Sequence, residues 1–177
     1  MIDVALVVGH SRKNKGARNE RYGITEFAFN SALAQTIEHT KRIKNLEVVY
    51  RESYKDLPTK INALNPKIIL SLHCNAFNTI YHGCEMLYWN TSEKGKALAT
   101  ITQKCIVERV GLRDRNIKPR HKGSRGAYLL RRTNAPCIIC EPFFIDNDEE
   151  YKYVWSKVPQ LIDAYIYSIQ EGLTILF

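Results

Sequence analysis

Short apolar runs alternate along the chain with longer segments in which apolar residues recur at helical spacing. Six segments have the apolar or β-branched character of strands: residues 3–8, 46–51, 67–72, 83–89, 128–131 and 136–141. Three of these, 3–8, 67–72 and 136–141, are nearly continuous apolar runs, as expected of central strands in a parallel sheet. We expect residues 83–89 to form an edge strand.

Four segments fit helices: residues 25–42, 57–64, 92–110 and a long helix that begins near residue 146. Thr25 suits the N-cap of the first helix, and Gly111 suits the C-cap of the third. Pro159 predicts a kink or an interruption in the last helix. Strands that alternate with helices predict an α/β fold, with a mostly parallel sheet covered on both faces. No repeat or linker divides the 177 residues, a length that suits one domain.

The overall charge narrows the choice of partners. The formal net charge is +8 at pH 7 and favours anionic partners such as nucleic acid, acidic lipid or an acidic wall polymer, although a well-solvated surface explains it equally well. No segment approaches the roughly 18 consecutive apolar residues of a membrane span, so we expect no membrane insertion. The N-terminus has neither the basic region nor the cleavage site of a signal peptide.

The chain contains five cysteines, and this odd number without a secretory signal favours reduced thiols over a disulfide framework. Cys137 and Cys140 form a C-x-x-C motif, which is compatible with redox chemistry or a zinc site. However, both fall in a predicted strand, where positions three apart face opposite sides of the sheet. We therefore expect them to be buried and inert.

Polar side chains with metal-binding or acid–base capacity follow the central strands. His10 comes just after residues 3–8, and His73 comes just after residues 67–72. The carboxyl ends of parallel strands meet at one edge of a sheet, where ligands bind in open α/β folds. Glu26, in the first turn of the predicted helix, is expected beside that edge. Zinc in hydrolases commonly takes three His or carboxylate ligands and activates a water in the fourth position, so these three residues are candidate ligands.

Glu141 ends the third apolar run, where an isolated charge is costly without a partner or a task. A carboxylate that is not a ligand but lies near an activated water can take its proton and pass it to a leaving nitrogen. Three ligands and one base describe amide hydrolysis. Simpler explanations remain open, because a histidine at a strand end is often an ordinary polar residue and a glutamate in the first turn of a helix commonly stabilises the helix N-terminus.

Four motifs carry a resemblance to a known family and follow one another in order: Val8-Gly-His10, Gly23-Ile-Thr-Glu26 with Asn30, Ser71-Leu-His-Cys-Asn-Ala76 and Ile139-Cys-Glu-Pro-Phe-Phe-Ile-Asp-Asn147. Together they resemble the zinc-dependent N-acetylmuramoyl-L-alanine amidases of the amidase-3 type, found in bacterial autolysins and phage endolysins. The chain departs from the usual pattern at Val7-Val8, before the first histidine, and at Cys74, after the second. Neither departure removes a candidate ligand.

The resemblance implies one Zn²⁺ per chain, held by His10, Glu26 and His73, with Glu141 as the catalytic general base and acid. It implies a mostly parallel, twisted mixed sheet of about six strands, and hydrolysis of the amide between the lactyl group of muramic acid and L-alanine in peptidoglycan. We expect residues 1–177 to be a single catalytic domain without a separate wall-binding module, acting as a monomer. We expect it to stay cytoplasmic until its release to the anionic wall, as a phage lysin does, or to be a catalytic fragment of a secreted protein.

Two alternatives remain open at this stage. One is another zinc peptidase that cleaves wall peptides, and the other is a non-catalytic basic domain that binds the wall or nucleic acid. A nucleic-acid binder should carry aromatic residues among its basic ones, to stack on bases. The basic segments 11–23 and 112–126 contain only Tyr22, so we expect no nucleic-acid partner.

Overall fold

A computed structural model describes residues 2–177 of the chain. The strands within these residues are β1 Val4–Val8, β2 Arg18–Asn19, β3 Ile24–Thr25, β4 Leu46–Tyr50, β5 Ile68–Leu72, β6 Glu85–Trp89, β7 Lys118–Arg120 and β8 Cys137–Glu141. The helices are α1 Glu26–His39, α2 Leu57–Leu64, α3 Glu93–Ile106, α4 Ala127–Arg132, α5 Asp148–Ser156 and α6 Val158–Leu176. A π turn, Val107–Gly111, extends α3. None of the helices in the described part is long and apolar enough to cross a membrane.

Six of the described strands form one sheet in the order β4-β1-β5-β8-β6-β7, and β2 pairs with β3 in a separate small hairpin. The pairs are parallel except where β6 meets β8. Helices α1, α3 and α6 cover one face of the sheet, and α2 and α4 cover the other. The predicted α/β class, with a mostly parallel mixed sheet of six strands between helices, is confirmed.

The central strands explain the near-continuous apolar runs of the sequence. In β1, Val4, Leu6 and Val8 enter the larger core cluster, while Ala5 and Val7 enter the smaller cluster on the opposite face. Because side chains alternate along a strand, a strand covered on both faces needs apolar residues at every position.

The same alternation separates the two cysteines of the C-x-x-C motif. Cys137 lies in the smaller core cluster and Cys140 in the larger one, so the two thiols face opposite sides of the sheet. All five cysteines are free and buried. Burial raises the pKa of Cys137 to about 12, which keeps its thiol protonated and unreactive.

Two of the predicted strands are corrected by the structure. Residues 128–131 were expected to be a strand but lie in helix α4, whose Leu129 and Leu130 pack beside α2 in the smaller core. A short apolar run fits either element, and packing on the sheet decides between them. Residues 83–89 were expected at an edge, but β7 pairs with the outer side of β6. The segment Lys118–Arg120 carries the charges and the proline that protect an edge strand from further pairing.

Two of the predicted helix signals are confirmed, whereas Gly111, expected as the C-cap of α3, instead ends the π turn that follows α3. The Thr25 hydroxyl accepts a hydrogen bond from the Ala28 N–H and caps α1. The C-terminal helical region is interrupted as predicted: α5 ends at Ser156, and α6 begins at Val158 with Pro159 in its first turn. A proline in the first turn removes only an N–H that has no partner within the helix.

Candidate metal centre

The pairing of three parallel strands sets the position of the site. Val8 lies opposite Leu72 in the β1–β5 pair, so the residues that follow each strand emerge at the same edge of the sheet. The Gly9 N–H donates to the Leu72 carbonyl at 2.9 Å, and the His73 N–H donates to the Cys140 carbonyl at 2.9 Å. The ends of β1, β5 and β8 are therefore tied together at one rim.

Glu26 reaches this rim as the first residue of α1. Its Oε1 lies 2.8 Å from Nδ1 of His73, and its Oε2 lies 3.1 Å from Nε2 of His10. One ligand atom from each of the three side chains can be chosen so that all lie within 4.8 Å of one another. The structure thus brings together the three residues predicted as ligands, although their assignment as zinc ligands stays a prediction.

The backbone holds the Glu26 carboxylate in place. Its Oε1 accepts a hydrogen bond from the Cys74 N–H at 3.0 Å, and its Oε2 accepts one from the Ala17 N–H at 3.1 Å. Burial opposes ionisation of this side chain, but its contacts with the two histidines outweigh burial and hold the pKa of Glu26 well below its ordinary value. Burial lowers the pKa of His73, although the neighbouring Glu26 carboxylate acts to raise it. An ionised carboxylate and a neutral imidazole are the forms in which these side chains bind metal.

The side chains fit a divalent metal ion. Although Nε2 of His10 lies close to Glu26, neither ring nitrogen of His10 forms a hydrogen bond with any residue in the described range. Buried polar atoms rarely lack a partner unless a ligand, an ion or a water supplies one. Two imidazoles and one carboxylate form a donor set that zinc takes in hydrolases. The remaining histidines, His39, His82 and His121, belong to no such cluster within residues 2–177.

A glycine that the sequence analysis did not single out packs against the cluster. Gly16 has a left-handed backbone with φ of 74°. A Cβ atom at this position would lie 2.5 Å from Oε2 of Glu26 and 2.6 Å from Cδ2 of His10. The loop after β1 therefore closes over the cluster only because position 16 has no side chain. In the sequence it is one of two glycines in the basic segment 11–23, and nothing there distinguishes it from an ordinary turn residue.

Glu141 lines the same cavity as the two histidines. This cavity has a volume of about 180 Å³ and also includes Arg51 and Arg125. Burial, and then the negative charge of Glu26, raise the pKa of Glu141 to about 8, whereas Arg125 lowers it. Oε2 of Glu141 has no hydrogen-bond partner among the described residues. A carboxylate with a free oxygen and a pKa near neutrality can both accept and return a proton.

Arg125 is a second residue that the sequence analysis missed. Its Nη2 atom lies 3.8 Å from Oε1 of Glu141. The residue belongs to the basic segment 112–126, where seven similar cationic or imidazole side chains occur within a few residues of one another. Arg125 differs from the other basic residues of this segment only in that it precedes Gly126, the N-cap of α4. That signal in the sequence is weak.

Comparison with known proteins identifies the family of the chain. A family model described as N-acetylmuramoyl-L-alanine amidase matches residues 4–171. An uncharacterised cell wall amidase of Bacillus anthracis is 29% identical over 93 residues, which is 48% of this chain and 17% of that protein. The chain therefore spans about a sixth of the length of this curated relative.

Several solved structures share the fold. An N-acetylmuramoyl-L-alanine amidase from Clostridium difficile 630 superposes with a TM-score of 0.85 at 24% identity, covering 98% of this chain and 97% of that chain. The catalytic domain of CwlV, an N-acetylmuramoyl-L-alanine amidase from Bacillus (Paenibacillus) polymyxa var. colistinus, gives a TM-score of 0.79 at 25% identity, with the same coverage. The catalytic domain of the CD27L endolysin, which targets Clostridia difficile, gives 0.76 at 23% identity, again covering 98% and 97%.

Proposed function

The chain belongs to the N-acetylmuramoyl-L-alanine amidase family, and we propose that it hydrolyses the amide between the lactyl group of muramic acid and L-alanine in peptidoglycan. In this proposal His10, Glu26 and His73 hold one Zn²⁺, and Glu141 is the general base and acid. The observation that carries the proposal is the convergence of these three donor side chains, with both histidines in the cavity that Glu141 also lines, where one oxygen of this buried carboxylate has no hydrogen-bond partner among the described residues.

The chemistry divides between the ion and the protein. When bound, a zinc ion lowers the pKa of a water towards neutrality and polarises a carbonyl group. The Glu26 carboxylate lies against both imidazoles at the rim, and the backbone N–H groups of Ala17 and Cys74 hold Glu26 in turn. This arrangement keeps the donor atoms close before any ligand arrives, so little reorganisation is needed on binding.

Proton transfer is assigned to Glu141. In its ionised form the carboxylate takes a proton from the attacking water, and it then donates that proton to the nitrogen of the departing L-alanine. Burial favours the protonated form, and Arg125 offsets part of this effect. Burial and Arg125 thus act in opposite directions on the pKa of Glu141, the residue that must both gain and lose a proton.

The basic surface supports an anionic substrate. A net charge of +8 attracts the protein to a polyanionic wall and raises its local concentration there. We propose that peptidoglycan is the partner and that the protein acts on it as a monomeric catalytic domain.

Mass analysis of digested cell walls tests the proposed bond. We expect glycan chains free of peptide, together with peptides that carry new alanine N-termini. New termini inside the stem peptide would instead identify a wall peptidase. Binding to walls without any new termini would identify a non-catalytic binding domain. The Glu141→Gln variant, handled in parallel, corrects for contaminating hydrolases.

A further inference from the structure

A second cavity adjoins the candidate metal centre. It has a volume of about 670 Å³ and lies between the loop after β1, helix α1 and the end of β4. Arg51 lines both this groove and the cavity that contains Glu141. Ser11, the residue after His10, also lines the groove. The groove and the cavity of the proposed site therefore share the Arg51 side chain.

The groove carries positive charge that the protein itself does not neutralise. Arg12, Lys13 and Arg51 line it, and none of them forms an ion pair within residues 2–177. The one carboxylate in the lining, Glu52, is itself paired with Lys60 at 3.3 Å. An anionic ligand in this groove would gain attraction without having to displace an internal partner.

One wall of the groove is apolar and ordered. The rings of Phe27 and Tyr50 pack edge to face with centroids 6.4 Å apart. The Tyr50 hydroxyl accepts a hydrogen bond from Nε2 of Gln35 at 3.0 Å, which fixes the ring. An apolar wall beside three cations suits an extended chain that carries both aliphatic groups and carboxylates.

We propose that this groove binds the peptide half of the substrate through its free carboxylates. The inference rests on the proposed function and names the substrate class that the site selects. On the glycan side the N-acetylated sugars are neutral, and the lactyl carboxyl group is consumed in the scissile amide. On the peptide side a γ-linked glutamate leaves its α-carboxylate free, and the peptide ends in a second carboxylate. Charge complementarity therefore selects the peptide half, and it selects stems whose glutamate is not amidated.

Arg51 is the residue that the geometry assigns to this discrimination. Its guanidinium lies 5.6 Å from the ring centroid of Tyr54, and its side chain is only half-exposed. A guanidinium held over an aromatic ring loses less freedom when it pairs with a carboxylate, and its planar fork can form two parallel hydrogen bonds. Arg51 also lines both cavities, so a carboxylate paired with it borders the cavity that contains Glu141.

Calorimetry with the protein as purified and two synthetic peptides, neither of which contains the scissile amide, tests the proposal. The probes are L-alanyl-γ-D-glutamyl-L-lysyl-D-alanine and the same peptide with its glutamate α-carboxylate amidated. We expect the acidic peptide to bind about five- to tenfold more tightly at low salt, the gain typical of one partly exposed charge-assisted contact. Arg51→Met should remove most of this preference, and Arg51→Lys should retain part of it.

Lys104→Met is the matched control. Lys104 is an exposed residue of α3 that lines neither of the two cavities, and its substitution removes the same charge from the protein. It should keep the preference for the acidic peptide. Circular dichroism of each variant shows whether it is folded, and the double variant Arg12→Met with Lys13→Met provides a second test if Arg51→Met does not fold.

Three results would overturn the proposal: equal binding of the two peptides by the parent protein, an equal loss in Lys104→Met, or equally strong competition by a glycerol phosphate oligomer. Wall digestion separates this failure from failure of the proposed function. Cleavage at alanine without any charge preference refutes the groove assignment alone. A preference for the acidic peptide without new alanine N-termini refutes the amidase assignment alone.

Discussion

The guanidinium of Arg125 lies 3.8 Å from the carboxylate of Glu141, and so an exposed cation borders an almost fully buried acid. Arg125 comes from the basic segment before α4, whereas Glu141 ends the central strand β8. Burial and the charge of Glu26 raise the pKa of Glu141 to about 8, and Arg125 works in the opposite direction. This contact makes the basic segment part of the proposed mechanism.

Removing Arg125 should shift the pH dependence of hydrolysis. A general base works only when ionised, so activity falls as the pH drops through its pKa. Arg125→Met removes a charge that lowers the pKa of Glu141, and the acidic limb of the profile of kcat/KM against pH should therefore move to higher pH. Arg125→Lys keeps the charge and should move the limb less. If the acidic limb of the profile does not move in Arg125→Met, then Arg125 does not influence the ionisation of Glu141.

Glu141→Gln should separate catalysis from metal binding. The amide has nearly the same shape but cannot accept the proton, so we expect activity to fall about 100-fold or more. Metal content should stay at the parent level, since Glu141 is not among the clustered donors. The measurements are the release of alanine N-termini from walls and elemental analysis of the purified variant. Activity near the parent level would remove Glu141 from the mechanism.

The two histidines of the cluster should control metal content directly. We expect about one zinc per chain in the parent protein, the occupancy of a single site with three protein ligands. His10→Ala and His73→Ala should each lower that value, and a chelator should abolish wall hydrolysis. His39→Ala is the control, because His39 ends α1 outside the cluster. Parent zinc content in both cluster variants would show that the ligands are assigned wrongly.

Gly16→Ala should disturb the metal centre, whereas Gly23→Ala should not. Both glycines have a left-handed backbone, with φ of 74° and 64°. A Cβ at Gly16 would meet Glu26 and His10 at less than normal contact distance, but a Cβ at Gly23 would meet no atom within 4 Å. Both variants therefore carry backbone strain of about 1 kcal/mol. Only in Gly16→Ala does the new methyl group also contact the candidate metal ligands. Zinc titration should show weaker binding only in Gly16→Ala, and equal affinities would contradict the proposed packing.

Glu150 gives a test of stability away from the site. Its carboxylate accepts hydrogen bonds from the backbone N–H groups of Gly83 at 2.6 Å and Phe144 at 2.7 Å. Glu150→Gln leaves one of these N–H groups facing an amide NH₂, so we expect a loss of about 1–3 kcal/mol in the free energy of unfolding. Glu149→Gln, at the exposed neighbouring position, should change it by about 0.5 kcal/mol or less. Urea denaturation of the metal-free proteins measures both, and equal losses would show that the two contacts do not carry the effect.

Much of this protein was predictable from local patterns. The apolar runs of β1, β5 and β8 marked the strands, because a strand buried on both faces tolerates few polar residues. Thr25 marked the start of α1 through the hydrogen bond that its hydroxyl makes at a helix N-terminus. The alternation of side chains along a strand also sufficed to place Cys137 and Cys140 on opposite faces. Each of these inferences depends on residues within a few positions of one another.

Packing between distant segments decided the rest. The helical state of residues 127–132 depends on packing against α2, and the edge position of β7 depends on its pairing with β6. The closeness of Arg125 to Glu141 and the fit of Gly16 against Glu26 join segments that no sequence spacing relates. A sequence pattern specifies which residues a strand buries, but not which strand lies beside it. The sequence predicted that His10 and His73 would reach one edge of the sheet, but the order that places β1, β5 and β8 side by side belongs to the tertiary structure.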